Sequence, residues 1–319
     1  MIGFVNRFYF SSQKVGKIGF IGLGNMGNGM VRNLKNKSEY DIVAFDVSDA
    51  ARAQIEKEGI KTVKSVQEIA KDSEISQVIT MVPNYDIALS LMDGENGLFN
   101  SLKKGSTIID CSTIGPLGAQ DLYQKALKAG QKFVDAPVSG GKGGADNGTL
   151  TFMVGCENEE QFEFIKQILK NMGKNVFNCE RPSGGQIVKA CNNMALGIQM
   201  ISIVEACNLG QKLGLNPVTL SNIMNTATAG CWSSNQGNPV PGFSQTNPAS
   251  HKYDIGFQTD LIIKDMKLAM ACAESINANV DLSLHALNKY QEVSQAGFGK
   301  KDFSYIYEFM QQQQKNKSE

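Results

Sequence analysis

The pattern of hydrophobic and polar positions changes once along this chain, near residue 183. Before that point, short apolar runs rich in β-branched residues alternate with stretches that have the apolar spacing of helices. The strand-like runs are KIGFIG, DIVAFD, ISQVITMV, STIIDC, KFVDAPV, LTFMVG and NVFNC. The helical stretches between them include NMGNGMVRNLKN, GAQDLYQKALKAG and EEQFEFIKQILKNMG. This alternation predicts βαβ units and a largely parallel sheet with helices on both faces.

After residue 183 the strand-like runs stop and helical spacing dominates. The predicted helices there include PVTLSNIMNTA, TDLIIKDMKLAMACAESIN, LHALNKYQEVSQAG and DFSYIYEFMQ, and an irregular loop, AGCWSSNQGNPVPGFSQTNPAS, interrupts them. A chain of 319 residues usually exceeds one hydrophobic core. We therefore predict an α/β Rossmann-type parallel-sheet domain at 17–182, followed by an all-helical domain at 183–319.

The helix that opens the second domain has an unusual composition. In GGQIVKACNNMALGIQMI, residues 184–201, apolar positions cover almost the whole circumference, which is typical of a buried helix. Lys189, Asn192 and Asn193 nevertheless lie on one face, at a spacing of i, i+3 and i+4. Burial would lower the pKa of Lys189 toward neutrality and make it usable as an acid and a base. The alternative is that this patch faces solvent and Lys189 is an ordinary surface lysine.

Composition excludes several classes of function. Lys and Arg number 31 and Asp and Glu number 31, so the formal net charge is zero and nucleic-acid binding is not expected. Seven cysteines lack any C-x-x-C pair, and His251 and His285 are far apart, which argues against a disulfide framework and against a metal site. No stretch of about 18 uncharged apolar residues occurs, so we expect no membrane span.

The first 16 residues, MIGFVNRFYFSSQKVG, differ from the rest of the chain. They contain basic residues, serines and aromatic residues but no acid, which is the composition of a short mitochondrial presequence. We predict a targeting segment at 1–16 and a location in the mitochondrial matrix. A slightly irregular N-terminus of a cytoplasmic protein is the alternative.

A glycine motif follows the first strand directly. GFIGLGNMGNGM contains G-x-G-x-x-G as Gly22, Gly24 and Gly27, and it opens a helix as dinucleotide binding requires. The second strand ends at Asp46, about 20 residues on, where a carboxylate accepts hydrogen bonds from the adenosine ribose. That carboxylate would repel a 2′-phosphate, so we predict NAD rather than NADP; Arg52 lies a helical turn too late for a confident phosphate contact. A glycine-rich turn without a ligand is the alternative.

A second glycine-rich segment, DAPVSGGKGGADNGTL, follows the fifth strand-like run. Ser139, Gly140 and Gly141 could converge their N–H and O–H groups on a small anion such as a carboxylate. A mobile surface loop is the alternative. Together with an NAD site and a buried Lys189, this anion-binding segment would position an alcohol substrate for hydride transfer to NAD.

These motifs together resemble the β-hydroxyacid dehydrogenase family over nearly the whole chain from Lys17. GFIGLGNMG, DAPVSGG, GGQIVKACNN and TDLIIKDMKLA carry the resemblance, and CWSSNQGNPVPG points to the mitochondrial branch that oxidises 3-hydroxyisobutyrate in valine breakdown. The resemblance implies an NAD-dependent oxidoreductase that forms methylmalonate semialdehyde, with Lys189 as the general acid and base.

The resemblance also implies roles for other residues. Those implied to bind substrate are Ser139, Gly140, Gly141, Asn193 and Trp232. Those implied to bind the cofactor are Gly22, Gly24, Asn25, Met26, Gly27, Asp46, Val82, Pro83, Thr113 and Lys264. Asn192 is a further residue that could orient the lysine.

Two other functions stay open at this point. A sibling enzyme that reduces tartronate semialdehyde or succinic semialdehyde would use the same lysine, and a non-catalytic NAD-binding scaffold would share the fold. The large helical domain with its apolar opening helix suggests a homodimer or homotetramer. The expected partner is thus a small hydroxy acid, with neither nucleic acid nor membrane.

Overall fold

A computed structural model describes residues 16–315 and shows a six-stranded parallel sheet. Its strands are β1 (Lys17–Ile21), β2 (Asp41–Phe45), β3 (Lys61–Thr62), β4 (Ile75–Thr80), β5 (Thr107–Asp110) and β6 (Lys132–Asp135). They are arranged in the order β3-β2-β1-β4-β5-β6, and every pair is parallel. This is the doubly wound order of dinucleotide-binding sheets, so the predicted Rossmann-type fold is confirmed. Of the six strands in this sheet, the apolar runs failed to predict one, the two-residue strand β3.

Helices cover both faces of this sheet. They are α1 (Gly27–Lys37), α2 (Asp49–Glu56), α3 (Val66–Ala70), α4 (Tyr85–Met92), α5 (Leu98–Ser101) and α6 (Gly115–Lys128). One hydrophobic cluster includes Phe20 and Ile79, and a second one includes Ile21 and Val78. Neighbouring residues of one strand thus belong to two different cores. Burial on both faces explains why these strands are continuous apolar runs.

A smaller sheet continues from the end of β6. It contains β7 (Val138–Ser139), β8 (Leu150–Val154) and β9 (Gly173–Asn178), with helices α7 (Gly141–Asn147) and α8 (Glu159–Leu169). β7 is antiparallel to β8, and β8 is parallel to β9. The predicted single strand KFVDAPV is wrong, because the chain leaves the first sheet after Asp135 and passes through Pro137, which has no N–H for a ladder. The glycine-rich segment likewise contains a short helix that we did not predict.

The remainder of the described chain is helical. It contains α9 (Gly184–Lys212), α10 (Pro217–Thr226), α11 (Thr259–Ser275), α12 (Asp281–Val293) and α13 (Ile306–Lys315), with 3-10 turns at Pro248–His251 and Phe303–Tyr305 and a π turn at Ser294–Phe298. A third hydrophobic cluster joins these helices and includes Met200, Tyr253 and Met266. Residues 17–182 are called the sheet region below, and residues 183–315 the helical region.

The helix α9 does not bury its whole circumference, so that prediction is wrong. The large side chains buried near its start are the polar ones of Gln186, Lys189 and Asn193, whereas Ile187 and Val188 are 37% and 42% exposed. The physical reason is that the start of α9 packs against the sheet region, which supplies partners for Gln186 and Lys189, while Asp265 on α11 supplies the partner for Asn193. Its apolar side chains at this end face outward.

By length and composition alone, α9 could cross a membrane. An 18-residue window within it has a mean hydropathy of 1.4, and 39% of that window is buried within the protein. A core helix of a soluble protein satisfies the same criterion, so the expected lack of a membrane span stays a prediction. The proposed targeting segment also stays a prediction, because residues 1–15 lie outside the described residues.

Candidate active site

The glycine turn after β1 has the shape that a dinucleotide requires. Gly22 has a φ of +100°, and a Cβ there would lie 2.2 Å from the Met81 carbonyl oxygen. A Cβ at Gly27 would lie 1.9 Å from the Gly22 carbonyl oxygen, whereas a Cβ at Gly24 would meet nothing within 4 Å. Two glycines thus close the turn and the third leaves its backbone open. This open backbone fits the approach of a pyrophosphate.

A carboxylate is fixed beside this turn. Asp46 accepts hydrogen bonds from the Leu23 N–H at 2.7 Å and from the Ser48 N–H at 2.8 Å, so its side chain spans the ends of β1 and β2. The guanidinium of Arg52 donates to the Asp46 carbonyl oxygen and pairs with Asp49. Arg52 therefore lies next to the predicted ribose site, although the sequence spacing placed it a turn too far away. Asn25 and Met26 complete the same turn before α1 begins.

The ends of β4 and β5 are joined by a lysine from the helical region. Lys264, on α11, donates to the Pro83 carbonyl oxygen at 3.3 Å and to the Thr113 carbonyl oxygen at 3.2 Å. The Val82 N–H donates to the Ser112 hydroxyl at 2.9 Å. The structure thus brings together Val82, Pro83, Thr113 and Lys264, which are separated by up to 182 positions in sequence.

A buried carboxylate that the sequence analysis missed supports these strand ends. Asp110 Oδ1 accepts the hydroxyls of Thr80 at 2.7 Å and of Ser112 at 2.6 Å. Burial raises the pKa of Asp110 to about 6, although both hydroxyl bonds favour its charged form. Asp110 therefore fixes the Ser112 hydroxyl, which in turn holds the Val82 backbone.

Another buried carboxylate fixes the start of α9. Asp135 accepts the N–H groups of Ser183 at 2.8 Å and of Gln186 at 2.9 Å, one on each carboxylate oxygen. These N–H groups lie at the helix start, where no intrahelical partner exists. Burial raises the pKa of Asp135 to about 7. DAPVSGG was recognised as a motif, but its aspartate could not be assigned a partner 48 residues away.

The side chain of Gln186 makes a second connection between the two regions. Its Nε2 donates to the Ser112 carbonyl oxygen at 2.7 Å, and its Oε1 accepts the N–H groups of Ile114 at 3.2 Å and Gly115 at 3.1 Å. All of these bonds are buried. Together with Asp135, they fix the first turn of α9 on the sheet region.

Lys189 lies one turn further along and is buried. It is 8% exposed, and its Nζ donates to the Val138 carbonyl oxygen at 2.8 Å. Burial lowers the pKa of Lys189 below its usual value; nearby Asp265 opposes this effect and Lys264 adds to it. The alternative of an ordinary surface lysine is therefore wrong. Thr113 and Asp265 border a crevice beside this amine that is too narrow to hold a water molecule.

Asn193 lies on the same buried face as Lys189. Its Nδ2 donates to Asp265 Oδ2 at 2.6 Å, and its Oδ1 accepts from Asn192 Nδ2 at 3.0 Å. A carboxylate only accepts hydrogen bonds, so Asp265 fixes the orientation of this amide. Asn192 is exposed and contacts Asn193 rather than the lysine. Asp265 itself was missed, although its position after Lys264 on an apolar helix was a usable signal.

The predicted substrate-binding loop lies next to Val138, whose carbonyl oxygen accepts the hydrogen bond from Lys189. Ser139 directly follows Val138 on β7, and Gly140 and Gly141 have φ values of +131° and +60°. Trp232 is placed differently. Its indole stacks on Phe303 at a centroid distance of 6.4 Å, inside the helical region. Its role toward substrate stays a prediction.

Known protein families match both regions. Residues 17–180 match the NAD binding domain of 6-phosphogluconate dehydrogenase, and residues 183–310 match a domain described as NAD-binding of NADP-dependent 3-hydroxyisobutyrate dehydrogenase. These two matches meet near the start of α9. The first match includes the glycine turn, and the second includes the helix that carries Lys189.

Individual relatives cover almost the whole chain. The probable mitochondrial 3-hydroxyisobutyrate dehydrogenase of Dictyostelium discoideum is 41% identical over 98% of this chain and 96% of its own length. The mitochondrial 3-hydroxyisobutyrate dehydrogenase of Homo sapiens is 41% identical over 93% and 87%. A structure of Mycobacterium tuberculosis 3-hydroxyisobutyrate dehydrogenase with L-serine has a TM-score of 0.87 and 33% identity, over 92% of this chain and 99% of that one. The chain belongs to the β-hydroxyacid dehydrogenase family.

Proposed function

We propose that this protein is an NAD-dependent dehydrogenase that oxidises 3-hydroxyisobutyrate to methylmalonate semialdehyde, as in valine breakdown. The observation that carries the proposal is the buried amine of Lys189, held at 2.8 Å by the Val138 carbonyl beside the Ser139 loop. Relatives named for this activity extend over nearly the whole chain. In this proposal Lys189 is the general acid and base.

The proton step follows from the environment of Lys189. Burial favours the neutral amine, which accepts the proton of the substrate hydroxyl while hydride leaves the adjacent carbon. The Val138 carbonyl orients the amine. Asn193 keeps a second amide hydrogen besides the one donated to Asp265, and we assign that hydrogen to the alcohol oxygen. In the reverse direction the ammonium returns its proton to the carbonyl oxygen.

Substrate orientation is assigned to the loop after β7. Ser139, Gly140 and Gly141 would bind the substrate carboxylate, because a hydroxyl and successive backbone N–H groups suit a small anion. Trp232 is proposed as a further substrate contact from its loop. This arrangement would direct the alcohol carbon toward the cofactor side of the cleft.

NAD fits the residues at the carboxyl ends of the strands. Gly22, Gly24 and Gly27, together with Asn25 and Met26, would hold the pyrophosphate. Asp46 would hold the adenosine ribose. We assign the nicotinamide side to Val82, Pro83, Thr113 and Lys264. When bound, NAD supplies the hydride acceptor that the protein's own side chains lack.

A substrate panel tests this proposal. Purified protein is mixed with NAD and (S)-3-hydroxyisobutyrate, and NADH absorbance is followed beside reactions with NADP, L-serine, 4-hydroxybutyrate and glycerate. We expect the highest kcat/KM with 3-hydroxyisobutyrate and NAD. A preference for glycerate or 4-hydroxybutyrate would assign the protein to the sibling reductases, and no turnover with any pair would favour a non-catalytic scaffold.

We also propose that the protein is a homodimer or homotetramer. Leu209 on α9 is 61% exposed and Leu213 just after it is 79% exposed, in addition to the outward apolar residues at the start of the helix. A second copy would remove this apolar surface from water. Light scattering after gel filtration is expected to give at least twice the chain mass, and Leu209→Asp to lower it. Leu127→Asp, on an exposed position of α6, is the matched control.

Mitochondrial import is the proposed route for the N-terminal segment. The relatives from Dictyostelium discoideum and Homo sapiens are named mitochondrial. Residues 1–16 fused to a fluorescent protein should direct it to the matrix. Diffuse cytoplasmic fluorescence of both this fusion and the full-length fusion would contradict the proposal.

A further inference from the structure

The helices α1 and α7 touch through their backbones. A Cβ at Gly29 on α1 would lie 2.7 Å from the Ala145 carbonyl carbon and 2.8 Å from the Asp146 nitrogen on α7. Real Cβ atoms do not approach backbone atoms so closely, so only glycine permits this packing at position 29. Gly29 lies two residues after the dinucleotide motif, yet the motif does not require it.

Asn33 locks this contact one turn further along α1. Its side chain is buried, and its Nδ2 donates to the Ala145 carbonyl at 2.8 Å, to the Asp146 carbonyl at 3.0 Å and to the Gly29 carbonyl at 2.9 Å. Ala145 and Asp146 lie in the last turn of α7, where carbonyl groups lack the usual i+4 partners; the Ala145 carbonyl also accepts the Gly148 N–H at 3.4 Å. An amide from a different helix thus caps α7.

The helix α7 depends on such outside support. It has only seven residues, three of which are Gly141, Gly143 and Gly144. Glycine is among the poorest helix formers, and isolated helices of this length are unstable in water. The packing against α1 therefore supplies much of what keeps α7 formed.

The two ends of this packed pair lead to the two proposed ligand sites. α1 begins directly at the glycine turn assigned to NAD, and α7 begins directly after Ser139 and Gly140 in the loop assigned to the substrate carboxylate. A displacement of α7 relative to α1 would therefore move the substrate loop relative to the cofactor turn. Asn33 is the described side chain that donates to both the Ala145 and the Asp146 carbonyls.

We infer that Asn33 is a positioning residue that couples the two sites: by capping α7 on α1, it holds the Ser139–Gly141 loop ready for the hydroxy acid when NAD occupies the glycine turn. This inference rests on the proposed function for the identity of the two ligands. Coupling between sites is reciprocal, so the hydroxy acid must strengthen NAD binding by the same factor.

Kinetics and calorimetry of two Asn33 variants test the coupling. Asn33→Asp keeps the size but turns a donor into an acceptor against three carbonyl oxygens, and Asn33→Ala removes the donor without adding charge. We expect KM for 3-hydroxyisobutyrate to rise about 5- to 50-fold, with kcat and the Kd for NAD changed less than about threefold. Asn147→Ala is the matched control, because this exposed asparagine on α7 bonds only the Gly143 carbonyl of its own helix.

Hydrogen exchange of the whole protein gives a readout that does not need turnover. NAD should protect the amides of residues 139–148 in the unchanged protein and in Asn147→Ala, and this protection should be lost in both Asn33 variants. Protection by NAD without turnover would overturn the proposed function and keep the coupling. Turnover without any NAD-induced protection in the unchanged protein would overturn the coupling, as would equal rises in KM and in the Kd for NAD. If one variant fails to fold, the other tests the role of Asn33, and the unchanged protein still tests whether NAD orders residues 139–148.

Discussion

The sheet region and the helical region bury their polar groups in different ways. In the sheet region, buried polar side chains such as Thr80, Asp110 and Asp135 lie at strand ends, at the edge where the loops gather. In the first turns of α9, by contrast, Gln186 and Lys189 are buried against that edge, whereas Ile187 and Val188 are partly exposed. The sheet region therefore supplies the buried partners of its own polar groups, whereas the start of α9 depends on the sheet region for its partners. A ligand site at this boundary needs residues from both regions.

The largest expected effect comes from removing the amine that crosses the boundary. Lys189→Ala should lower kcat by about 10²- to 10⁴-fold, because the base and its charge are both lost. Steady-state NADH formation measures this, with calorimetry to show that NAD still binds. Lys212→Ala, at the exposed end of the same helix, is the control. A Lys189→Ala enzyme that keeps a tenth of the activity would contradict the assignment of Lys189 as the base.

The pH dependence of the oxidation sharpens the same assignment. Only the neutral amine accepts a proton, so kcat should rise about tenfold per pH unit and then level off. Because burial lowers the pKa of Lys189, the plateau should begin below pH 10.5. Stopped-flow measurement of the hydride step from pH 6 to 10 checks this. A rate that falls with rising pH over this range would require a different base.

Cofactor choice tests the sheet region alone. Asp46→Ser removes the carboxylate that would repel a 2′-phosphate, and Arg52 is already beside it. The variant loses the contact between Asp46 and the ribose of NAD and gains one between Arg52 and the 2′-phosphate of NADP. The ratio of kcat/KM for NADP over NAD should therefore rise by about 10- to 100-fold. Adding Arg52→Ala should reverse most of the gain. If the single variant loses NAD without gaining NADP, Arg52 does not face the ribose site.

Asp135→Asn would loosen the joint between the two regions. An asparagine can accept one of the two N–H groups but presents its own NH₂ to the other, so the free energy of unfolding should fall by about 1–3 kcal/mol. Urea unfolding measures this change. Asp281→Asn, at an exposed position on α12, is the control and should change stability little.

The same carboxylate also predicts a pH dependence of stability. Burial raises the pKa of Asp135 to about 7, from 3.8 in an unfolded chain, so the folded protein keeps a proton there that the unfolded chain has released. Stability should therefore fall as the pH rises from about 4 to 7 and then level off. Asp110, with a pKa of about 6, contributes the same sign only up to that pH. The part of the slope between pH 6 and 7 should disappear in Asp135→Asn and persist in Asp281→Asn.

Sequence patterns predicted the two regions unequally. The strands that became β1, β2, β4 and β5 were recognised because burial on both faces makes them continuous apolar runs. The split after Asp135 was missed because an apolar run alone does not indicate where a strand changes sheets. The short helix α7 was missed because its glycines contradict helix propensity, and its packing on α1 cannot be seen in the sequence.

The site was predicted where local motifs define it. Lys189 and Asn193 stood out as polar residues within an apolar helix, and the glycine turn has a fixed spacing. Asp135, Gln186 and Asp265 were missed, since their partners are 48 to 74 residues away and are mostly backbone groups. Such pairings depend on how elements distant in sequence pack against each other. The outward apolar face of α9 was mistaken for a buried one for the same reason.

The hydrogen bond from Lys189 to the Val138 carbonyl has a consequence for reversibility. A carbonyl oxygen accepts a hydrogen bond from an ammonium and, more weakly, from a neutral amine, so this bond is available in both protonation states. In its proposed role, the lysine would not need to turn or find a new partner between oxidation and reduction. The direction of net flux would then be set by the concentrations of alcohol, aldehyde and the two cofactor forms rather than by a rearrangement of the protein.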